Sequence, residues 1–383
     1  MSKVCFITTV PFSAQHFLLP FIQALSKDHD VFLISNFSDI ESSREVFFGV
    51  QLIHVPISRE INIWSDLRGA YKLCRLMKEH QFSIIHSCTP KAGLLSTLAG
   101  RIARVPCRFH TFTGQVWATK RGFFRWLLKK MDKVIVNCAT GILIDSPSQK
   151  RFLLREGVVS EKKSKVLGLG SICGVDTKRF KPDSMIRKQV RRQYSIPEGA
   201  FVFLFVGRLN CEKGVYELVE AFLRMISEYE DAWLLIAGPS EERVVENIMQ
   251  RTHNVTNQII CDNYTETPEF LMAAADVFCL PSHREGFGSV IIESAAAGIP
   301  ALGSNIYGIS DAILDRETGL LHEVEDADSI YAVMKYFISD SDRTCEMGEK
   351  ARVRAVNNFS REFLVEEFLR FYGEELPGFC ARN

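Results

Sequence analysis

The run Phe201-Val-Phe-Leu-Phe-Val206 is apolar without interruption, and Gly207 and the charged loop Arg208-Leu-Asn-Cys-Glu-Lys213 follow it directly. After Gly214 the apolar residues take the spacing of a helix, which we expect to reach Phe222. A wholly apolar strand, a glycine-containing loop and a helix, in this order, are typical of a parallel sheet with helices on both faces. The stretch therefore predicts one strand–loop–helix unit of an α/β domain.

Similar short apolar runs alternate with helix-period segments along the rest of the chain. The candidate strands upstream are Val4–Val10, Val31–Ile34, Ile84–Cys88, Cys107–Phe112 and Val134–Cys138. Those from Phe201 onward are Phe201–Val206, Trp233–Ala237, Gln258–Cys261, Val277–Leu280 and Pro300–Gly303. The series runs through once and then starts again, so we predict two doubly wound α/β domains with parallel sheets.

The length of 383 residues also exceeds what one ordinary core covers. Glycines and a proline with little periodicity mark a linker within residues 168–182, and a basic helix follows around Met185–Tyr194. We therefore predict domains at residues 1–175 and 176–360, and a helical tail at 361–383 that returns to the N-terminal domain. Because ligands of open parallel sheets bind beyond the carboxyl ends of the strands, we expect the site in a cleft between the domains.

The composition is that of a globular protein, with 46% apolar and 24% charged residues. No run approaches the roughly 18 apolar residues of a membrane-spanning helix, and no signal-peptide pattern precedes the strand-like run at Val4. The eleven cysteines are scattered and include no Cys-x-x-Cys motif, which indicates buried free thiols in a reducing compartment. We therefore expect the chain to act in the cytoplasm.

Charge is distributed unevenly although the net charge is zero. Residues 1–195 contain 31 Lys and Arg against 14 Asp and Glu, a charge of +17, and residues 196–383 carry the opposite charge of −17. The basic half is expected to be attracted to anionic surfaces, and both nucleic acid and anionic lipid meet that condition. No nucleic-acid recognition motif accompanies the charge, so we do not expect a nucleic-acid partner.

The loop after the Phe201 run is the first candidate for chemistry. Arg208 and Lys213 lie at the carboxyl end of a strand and beside a helix N-terminus, where two cations can neutralise a diphosphate. The alternative is that Arg208 and Lys213 belong to an ordinary solvated loop that binds no phosphate.

The second candidate is Pro281-Ser-His-Arg-Glu-Gly-Phe-Gly-Ser-Val-Ile-Ile-Glu293, where a predicted strand leads through a glycine-containing loop into a helix. Gly286 and Gly288 allow close approach of the backbone, so that amides can face a phosphate. The residues that carry those amides are Phe287, Gly288, Ser289 and Val290. Glu293, one turn inside the helix, can reach vicinal hydroxyls such as those of a ribose. Glu285 lies in the loop and faces the group that is attached to the phosphate. A capped helix with two surface glutamates is the alternative, but a carboxylate among apolar residues usually has a partner.

Together these segments resemble the C-terminal domain of the retaining glycosyltransferases of family 4, which have the GT-B fold. The matching residues are Gly207-Arg208, Lys213-Gly214, Glu285 and Glu293, Ala274–Val277, Pro281-Ser282, Ala297–Pro300 and Glu317–Leu320. The resemblance implies that Arg208 and Lys213 hold the diphosphate of a nucleotide-sugar. It also implies the remaining donor contacts: Glu293 to the ribose, Glu285 to sugar hydroxyls at the reaction centre, and the loop with Asp262 and Tyr264 to the base.

The N-terminal half resembles bacterial family members that extend undecaprenyl-diphosphate-linked sugars, and among them O-antigen enzymes that transfer N-acetylgalactosamine. The segments that carry this resemblance are Ile85–Leu95, with Lys91 in its first helical turn, and His110–Lys120. It implies that the N-terminal domain binds the acceptor, and Lys91 and His16 are the candidate acceptor contacts.

Two departures from the family pattern concern this half. Many members have a His-Gly pair where this chain has Thr113-Gly114, so the sugar-site histidine is missing in register. His110, three residues earlier, either substitutes for it or is a strand histidine hydrogen-bonded in the core. The candidate catalytic residues are therefore Glu285, His110 and Thr113. The first loop, Pro11–Phe17, also lacks the usual glycines, which weakens the case for His16.

Two further segments each have a functional and a structural interpretation. Arg121–Lys130 interleaves bulky apolar residues with cations, as segments at an anionic membrane surface do. The alternative is a helix that buries Phe123, Trp126 and Leu127. Asp326-Ala-Asp328 resembles a metal-binding Asp-x-Asp motif, but acidic residues here favour a helix start. Because Arg208 and Lys213 already meet the diphosphate charge, we expect neither a metal nor a cofactor.

The sequence thus predicts retaining transfer of a hexosyl residue, N-acetylgalactosamine for preference, from a UDP-sugar to an undecaprenyl-diphosphate-linked sugar. The process would be O-antigen or surface polysaccharide synthesis at the inner face of the plasma membrane, with the basic half on the lipid. One alternative is a UDP-N-acetylglucosamine 2-epimerase, which shares the two-domain architecture. Another is a catalytically silent nucleotide-sugar-binding subunit, which the missing histidine leaves open.

Overall fold

The computed structural model describes residues 2–37, 45–58, 62–241, 243–252, 255–262 and 264–375. The chain divides into two compact units. The first contains the described residues up to Cys173 together with the helix that begins at Arg361, and the second runs from Gly174 to Ser360. The first unit therefore takes up both ends of the described chain.

The first unit is a seven-stranded parallel sheet in the order β3-β2-β1-β4-β5-β6-β7. Its strands are β1 (Lys3–Ile7), β2 (Asp30–Ser35), β3 (Gln51–His54), β4 (Ile84–Cys88), β5 (Cys107–Phe112), β6 (Gly141–Ile144) and β7 (Ser164–Lys165). Its helices are α1 (Pro11–Phe17), α2 (Leu19–Leu25), α3 (Ile63–His80), α4 (Pro90–Ile102), α5 (Gly122–Cys138), α6 (Pro147–Arg155) and, from the end of the chain, α15 (Arg361–Glu375).

The second unit is a six-stranded parallel sheet in the order β10-β9-β8-β11-β12-β13. Its strands are β8 (Phe201–Val206), β9 (Ala232–Ala237), β10 (Ile259–Asp262), β11 (Val277–Leu280), β12 (Ala301–Ser304) and β13 (Gly319–His322). Its helices are α7 (Ser184–Gln193), α8 (Val215–Met225), α9 (Val244–Thr252), α10 (Pro268–Ala274), α11 (Ser289–Ala296), α12 (Ile309–Ala312), α13 (Ala327–Ile338) and α14 (Ser341–Phe359).

The predicted pair of doubly wound parallel sheets is confirmed. The residues of β8 are buried except at its end, because helices cover both faces of the sheet. On α8 the buried residues recur at three- and four-residue intervals: Val215, Leu218, Val219, Phe222 and Met225. Continuous apolar strands and amphipathic helices therefore build one core in this unit.

The strand order places one topological switch point in each sheet. In the second unit the chain proceeds outward from β8 to β10 and then returns to β11 on the other side of β8. In the first unit the same reversal lies between β1 and β4. Because the loops that leave neighbouring strands diverge at such a point, it is the usual ligand crevice of an open parallel sheet.

One predicted strand is wrong: Val134–Cys138 is the last part of helix α5, and the neighbouring strand is β6. Ile135, Val136 and Cys138 are buried while Val134 is exposed, which is the pattern of a helix face rather than of a buried strand. The β-branched residues suggested a strand, but packing of the helix against its neighbours outweighs that weak local preference.

None of the ten described cysteines forms a disulfide, and Cys380 lies outside the described residues. Five are buried, and burial raises the pKa of Cys5 and Cys279 well above the ordinary range and that of Cys88 to about 12. Cys211 and Cys345 depart from the expectation because they are exposed. Within the described residues, no helix combines the length and apolarity required to cross a membrane.

Helix α15 completes the core of the first unit. Leu364, Phe368 and Tyr372 are buried in it, and the Tyr372 hydroxyl is 2.8 Å from Nδ1 of His86 on β4. The other ring nitrogen of His86 is 2.7 Å from Oγ1 of Thr111 on β5. Burial lowers the pKa of His86 to about 3, so the ring is neutral and both of its nitrogens have partners.

Replacing Tyr372 by phenylalanine is therefore expected to destabilise the protein by about 1 to 3 kcal/mol, because a buried ring nitrogen of His86 loses its partner. The measurement is the free energy of unfolding in urea. Tyr71→Phe, in the same unit, is the matched control because Tyr71 is 73% exposed. An equal effect of the two substitutions would contradict this role of the buried hydroxyl.

Candidate functional site

The loop after β8 holds the first predicted phosphate-binding residue. Arg208 lies just beyond the strand and is half-exposed, and its Nη1 is 3.0 Å from Oε1 of Glu241. Asn210 donates to the same carboxylate at 2.8 Å. Glu241 follows the neighbouring strand β9 and was not identified from the sequence, because nothing in its local pattern distinguishes it from a solvated glutamate.

Lys213 and Glu285, predicted from separate motifs, are in direct contact. Lys213 ends a short 3-10 turn after β8, and its ammonium group forms an ion pair with Oε1 of Glu285 in the loop after β11. Ser282 donates to the same oxygen at 3.0 Å. Both charged side chains are largely buried. The two loops at the switch point of the second unit therefore bring a cation and a carboxylate into one site.

Close backbone packing explains two glycines around this site. Gly214 is left-handed, with φ of 68°, and a Cβ there would lie 2.0 Å from the carbonyl oxygen of Pro281. Gly308, after β12, would bring a Cβ to 2.5 Å from the carbonyl oxygen of Gly286. Neither position has room for a side chain, so glycine at both allows the loops to pack together.

The loop then enters α11 through Gly288, which is also left-handed, with φ of 83°. Ser289 and Val290 begin the helix, and their amides belong to the first turn, whose N–H groups have no intrahelical acceptor. The side chain of Phe287 instead packs in the core beside Phe359. Only the backbone of Phe287 is therefore available for the predicted phosphate contact.

Glu293 lies half-buried on α11 between the buried residues Ile292 and Ser294. The pKa of Arg179 is raised chiefly by its hydrogen bond to Glu269, at 2.8 Å, and the negative charge of Glu293 also raises it. Arg179 comes from the segment just after the start of the second unit. Nothing in the sequence marks Arg179 as part of this site, because its distance along the chain from Glu293 conceals their proximity.

The two residues predicted beside the base differ in their surroundings. Asp262, at the end of β10, accepts a hydrogen bond from the Tyr194 hydroxyl. Burial and that bond raise the pKa of Tyr194 to about 12. Tyr264 is exposed and lies two residues beyond the strand. The Asp262 carboxylate is thus held at the end of α7, while the Tyr264 ring is open to contact.

His110 lies on β5 in the interior of the first unit. It is fully buried, and its Nδ1 is 2.9 Å from Oγ of Ser87. A Cβ at Gly93 would lie 2.4 Å from the imidazole, so α4 packs directly on the ring. Burial lowers the pKa of His110 to about 3. Of the two interpretations of His110, this placement corresponds to a neutral core histidine.

Thr113 is half-buried in the loop that follows β5, and Gly114 after it takes φ of 109°. The next residue, Gln115, is buried and accepts a hydrogen bond from the Gln149 amide at 2.8 Å. Gln115 was not identified from the sequence, because a loop glutamine gives no signal of burial. A polar pair therefore lies next to the position of the missing histidine.

The acceptor candidates lie in the helices that follow β1 and β4, and the segment Pro11–Phe17, predicted as a loop, is helix α1. His16, in the last turn of α1, has its Nδ1 2.9 Å from the Phe12 carbonyl oxygen and stacks on the Phe12 ring at 3.8 Å between centroids. Lys91, in the first turn of α4, forms an ion pair with Asp66 of α3 at 2.7 Å. The loops after β1 and β4 are joined by the Thr9 and Thr89 hydroxyls, 3.2 Å apart.

The alternative that the helix at Arg121–Lys130 buries Phe123, Trp126 and Leu127 is wrong for the first two of these residues. Phe123 is 68% exposed and Trp126 is 54% exposed, while Leu127 is half-buried. Lys129 is not freely solvated either, because it forms an ion pair with Glu156 at 2.6 Å. The first turns of α5 therefore present aromatic rings on the surface.

The capping interpretation of Asp326 is confirmed. Asp326 is the N-cap of α13, and its carboxylate accepts from the backbone amides of Asp328 at 2.9 Å and Ser329 at 3.1 Å. Its role in the structure is to satisfy the amides at the start of the helix.

Comparison with known proteins gives matches over both halves of the chain. Residues 15–178 match the family described as Glycosyltransferase Family 4, and residues 186–354 match the family Glycosyl transferases group 1. The chain is 30% identical over 348 residues to the capsular polysaccharide biosynthesis glycosyltransferase CapM of Staphylococcus aureus, with 90% of each chain covered.

Two further relatives have names that describe a reaction. The UDP-Gal:alpha-D-GlcNAc-diphosphoundecaprenol alpha-1,3-galactosyltransferase of Escherichia coli is 27% identical, with 84% of each chain covered. The N,N'-diacetylbacillosaminyl-diphospho-undecaprenol alpha-1,3-N-acetylgalactosaminyltransferase of Campylobacter jejuni is 22% identical, with 97% of this chain and 98% of that protein covered. Among solved structures, Anabaena Alr3699/HepE has the same fold, with a TM-score of 0.82, 17% identity and coverage of 98% of this chain and all of that one.

Proposed function

Because this chain belongs to family 4 of the glycosyltransferases, which have the GT-B fold, we propose that it transfers a hexosyl residue from a UDP-sugar to an undecaprenyl-diphosphate-linked sugar. The chain is a glycosyltransferase of polysaccharide or O-antigen synthesis. The observation that carries the proposal is the contact between Lys213 and Glu285 at the switch point of the second unit. It joins a cation suited to a diphosphate with a carboxylate suited to sugar hydroxyls.

The relatives' names support the choice of donor and acceptor. The Escherichia coli relative is named for UDP-galactose and the Campylobacter jejuni relative for transfer of N-acetylgalactosamine, and both names contain a diphosphoundecaprenol acceptor. We propose N-acetylgalactosamine as the transferred sugar. Galactose is the first competitor, because the two sugars differ at one substituent and one or two side chains can separate them.

The proposed chemistry begins at the donor diphosphate. As the bond from the anomeric carbon to the diphosphate breaks, negative charge grows on the leaving UDP. Lys213, Arg208 and the first amides of α11 are arranged to stabilise that charge without reorganising. Glu241 orients the Arg208 guanidinium, and Glu293 is assigned to the ribose. No metal is needed for this step.

The acceptor hydroxyl then forms its bond to the anomeric carbon on the face that the diphosphate leaves, so the α configuration is retained. Its proton passes to an oxygen of the departing phosphate. Glu285 orients the donor sugar rather than attacking it. We assign Lys91 and His16 to the acceptor, and Thr113 to the sugar site where the family has a histidine. Because His110 lies in the core, we assign it no role in this chemistry.

A product assay tests the proposal. The protein is incubated with UDP-N-acetylgalactosamine, UDP-galactose or their gluco-epimers, each with and without undecaprenyl-diphosphate-linked N-acetylglucosamine. We expect a disaccharide lipid with an α linkage from UDP-N-acetylgalactosamine, identified by mass and by NMR of the anomeric proton. Release of a 2-epimer without acceptor would support an epimerase. UDP-sugar binding without either product would support a silent subunit.

We also propose that the first unit rests on an anionic membrane surface, where the lipid-linked acceptor is held. Exposed aromatic residues occur at the start of α5, at Phe123, Phe124 and Trp126, and at the start of α3, at Trp64. Both helices follow parallel strands, so their first turns lie toward the carboxyl edge of the sheet, where Lys91 also lies. Rings interleaved with the cations Arg121–Lys130 suit a lipid interface.

Replacing Phe123 and Trp126 together by serine is expected to weaken binding to vesicles of phosphatidylglycerol and phosphatidylcholine at least about tenfold, because each buried ring contributes about 1.5 to 3 kcal/mol. Vesicle co-sedimentation measures the effect, and binding by the native protein should also fall as salt rises. Val353→Ser, a 60% exposed position in the second unit, is the control. Equal binding by the double variant and the native protein would contradict the proposed surface.

A further inference from the structure

The loop after β11 is tied to the turn after β8 through several consecutive residues. His283 donates its backbone N–H to the carbonyl oxygen of Glu212 at 2.9 Å. Arg284 binds the Glu212 carboxylate at 2.9 Å, and Lys213 binds Glu285. Together with the contact between His283 and Glu217 of α8, they make three adjacent side-chain pairs that we call the clasp. Its members are Glu212, Lys213, Glu217, His283, Arg284 and Glu285.

His283 lies at the centre of the clasp between carboxylates of three elements. Its Nε2 is 3.0 Å from Oε1 of Glu217, in the first turn of α8. Its Nδ1 is 3.5 Å from Oε1 of Glu325, in the turn between β13 and α13. Glu212, from the 3-10 turn after β8, is the third carboxylate near it. The neighbouring cation Arg284 is already paired with Glu212.

We propose that His283 is a positioning residue of the transferase site, whose imidazolium holds the loop of Glu285 by bridging Glu217 and Glu325. The inference rests on the role given to Glu285 under the proposed function. An imidazolium has two N–H donors, one for each carboxylate, whereas a neutral imidazole has one. Deprotonation therefore releases one of the two contacts, and the loop at residues 281–288 loses part of its attachment.

The electrostatic surroundings favour the protonated form. The hydrogen bond with Glu217 raises the pKa of His283 above its ordinary value, and the charges of Glu217, Glu325 and Glu212 act in the same direction against burial. The same hydrogen bond lowers the pKa of Glu217. The pKa of His283 is raised in the folded protein. The stabilisation that its imidazolium gives to the loop is therefore complete at pH values below the ordinary pKa of histidine, and it is lost as the pH rises through the raised pKa. We expect kcat/KM to fall on the alkaline side for this reason.

Glu217→Gln is the decisive variant. Removal of one facing charge is expected to lower the pKa of His283, seen in the NMR titration of its ring protons without any substrate. The alkaline fall of kcat/KM should move to lower pH by the same amount. Glu325→Gln should shift both quantities in the same direction but less, because its oxygen is more distant and its side chain is exposed. Glu220→Gln, an exposed carboxylate on the same helix, is the matched control.

His283→Gln supplies a second readout, because glutamine can donate to Glu217 but does not titrate. We expect kcat/KM reduced about threefold to tenfold at low pH, the effect of about one hydrogen bond, with the alkaline fall removed. An alkaline fall that persists in this variant, or that stays in place while the NMR titration of Glu217→Gln shifts, would overturn the proposal. If the protein transfers no sugar, the NMR titration and amide exchange of residues 281–288 still test the clasp.

Discussion

Replacing Glu285 by glutamine is expected to lower kcat about 10²-fold to 10³-fold while UDP binding is retained. Losses of that size follow removal of one preorganised polar group from a transition state in a buried site. The substitution keeps the shape of the side chain and the oxygen that Ser282 contacts. It removes the negative charge beside Lys213, and that charge opposes the diphosphate, so affinity for UDP should stay unchanged or rise slightly.

Transfer to the lipid-linked acceptor gives kcat, and calorimetric titration with UDP gives the affinity. Glu220→Gln is again the control, since its carboxylate is exposed on α8. Near-normal turnover in Glu285→Gln would remove Glu285 from the mechanism. A parallel loss of UDP binding would instead indicate that the whole loop depends on the ion pair with Lys213.

Replacing Lys213 by methionine is expected to lower kcat/KM about 10²-fold to 10³-fold and to weaken UDP binding as well. The methionine side chain fills similar space but carries no charge, so the departing UDP loses a fixed cation. The substitution also leaves the largely buried Glu285 carboxylate without its ion-pair partner and near the incoming diphosphate. Both effects act against the donor.

The double variant Lys213→Met with Glu285→Gln separates these two effects. If repulsion by the unpaired carboxylate matters, the double variant should bind UDP more tightly than Lys213→Met alone, and the cycle of four proteins gives the coupling. Lys350→Met, an exposed lysine on α14, is the control for loss of a surface charge. Undiminished UDP affinity in Lys213→Met would exclude the lysine from the diphosphate site.

The prediction of membrane binding rests partly on the difference in net charge between the two halves of the sequence, and the two structural units do not coincide with those halves. The sequence halves carry +17 and −17. The helix that begins at Arg361 belongs to the first unit, whereas the basic segment from Gly174 to Ser195 belongs to the second. Both changes reduce the contrast between the units. The exposed rings of Phe123 and Trp126 are therefore a more specific reason than net charge to place α5 at the lipid.

Much of the fold followed from the sequence because it depends on local order. An apolar run such as Phe201–Val206, followed by a loop and an amphipathic helix, specifies a strand and its crossover wherever the chain lies. The same local order placed Lys213, Glu285 and the start of α11 at the carboxyl edge of the second sheet. Val134–Cys138 shows the limit, because a β-branched run has the same local preference whether packing makes it a strand or the end of α5.

Only the tertiary structure determines which charged side chains form ion pairs and which polar residues are buried. Lys213 and Glu285 are 72 residues apart in sequence, and the return of the chain from β10 to β11 brings them together. Packing of α4 on β5 buries His110, which its own sequence pattern left open. The sequence by itself thus determined the two sheets and the types of residue at the loops. Contacts between distant segments determined which charges neutralise each other, because ion pairing and burial depend on distances in space rather than on position along the chain.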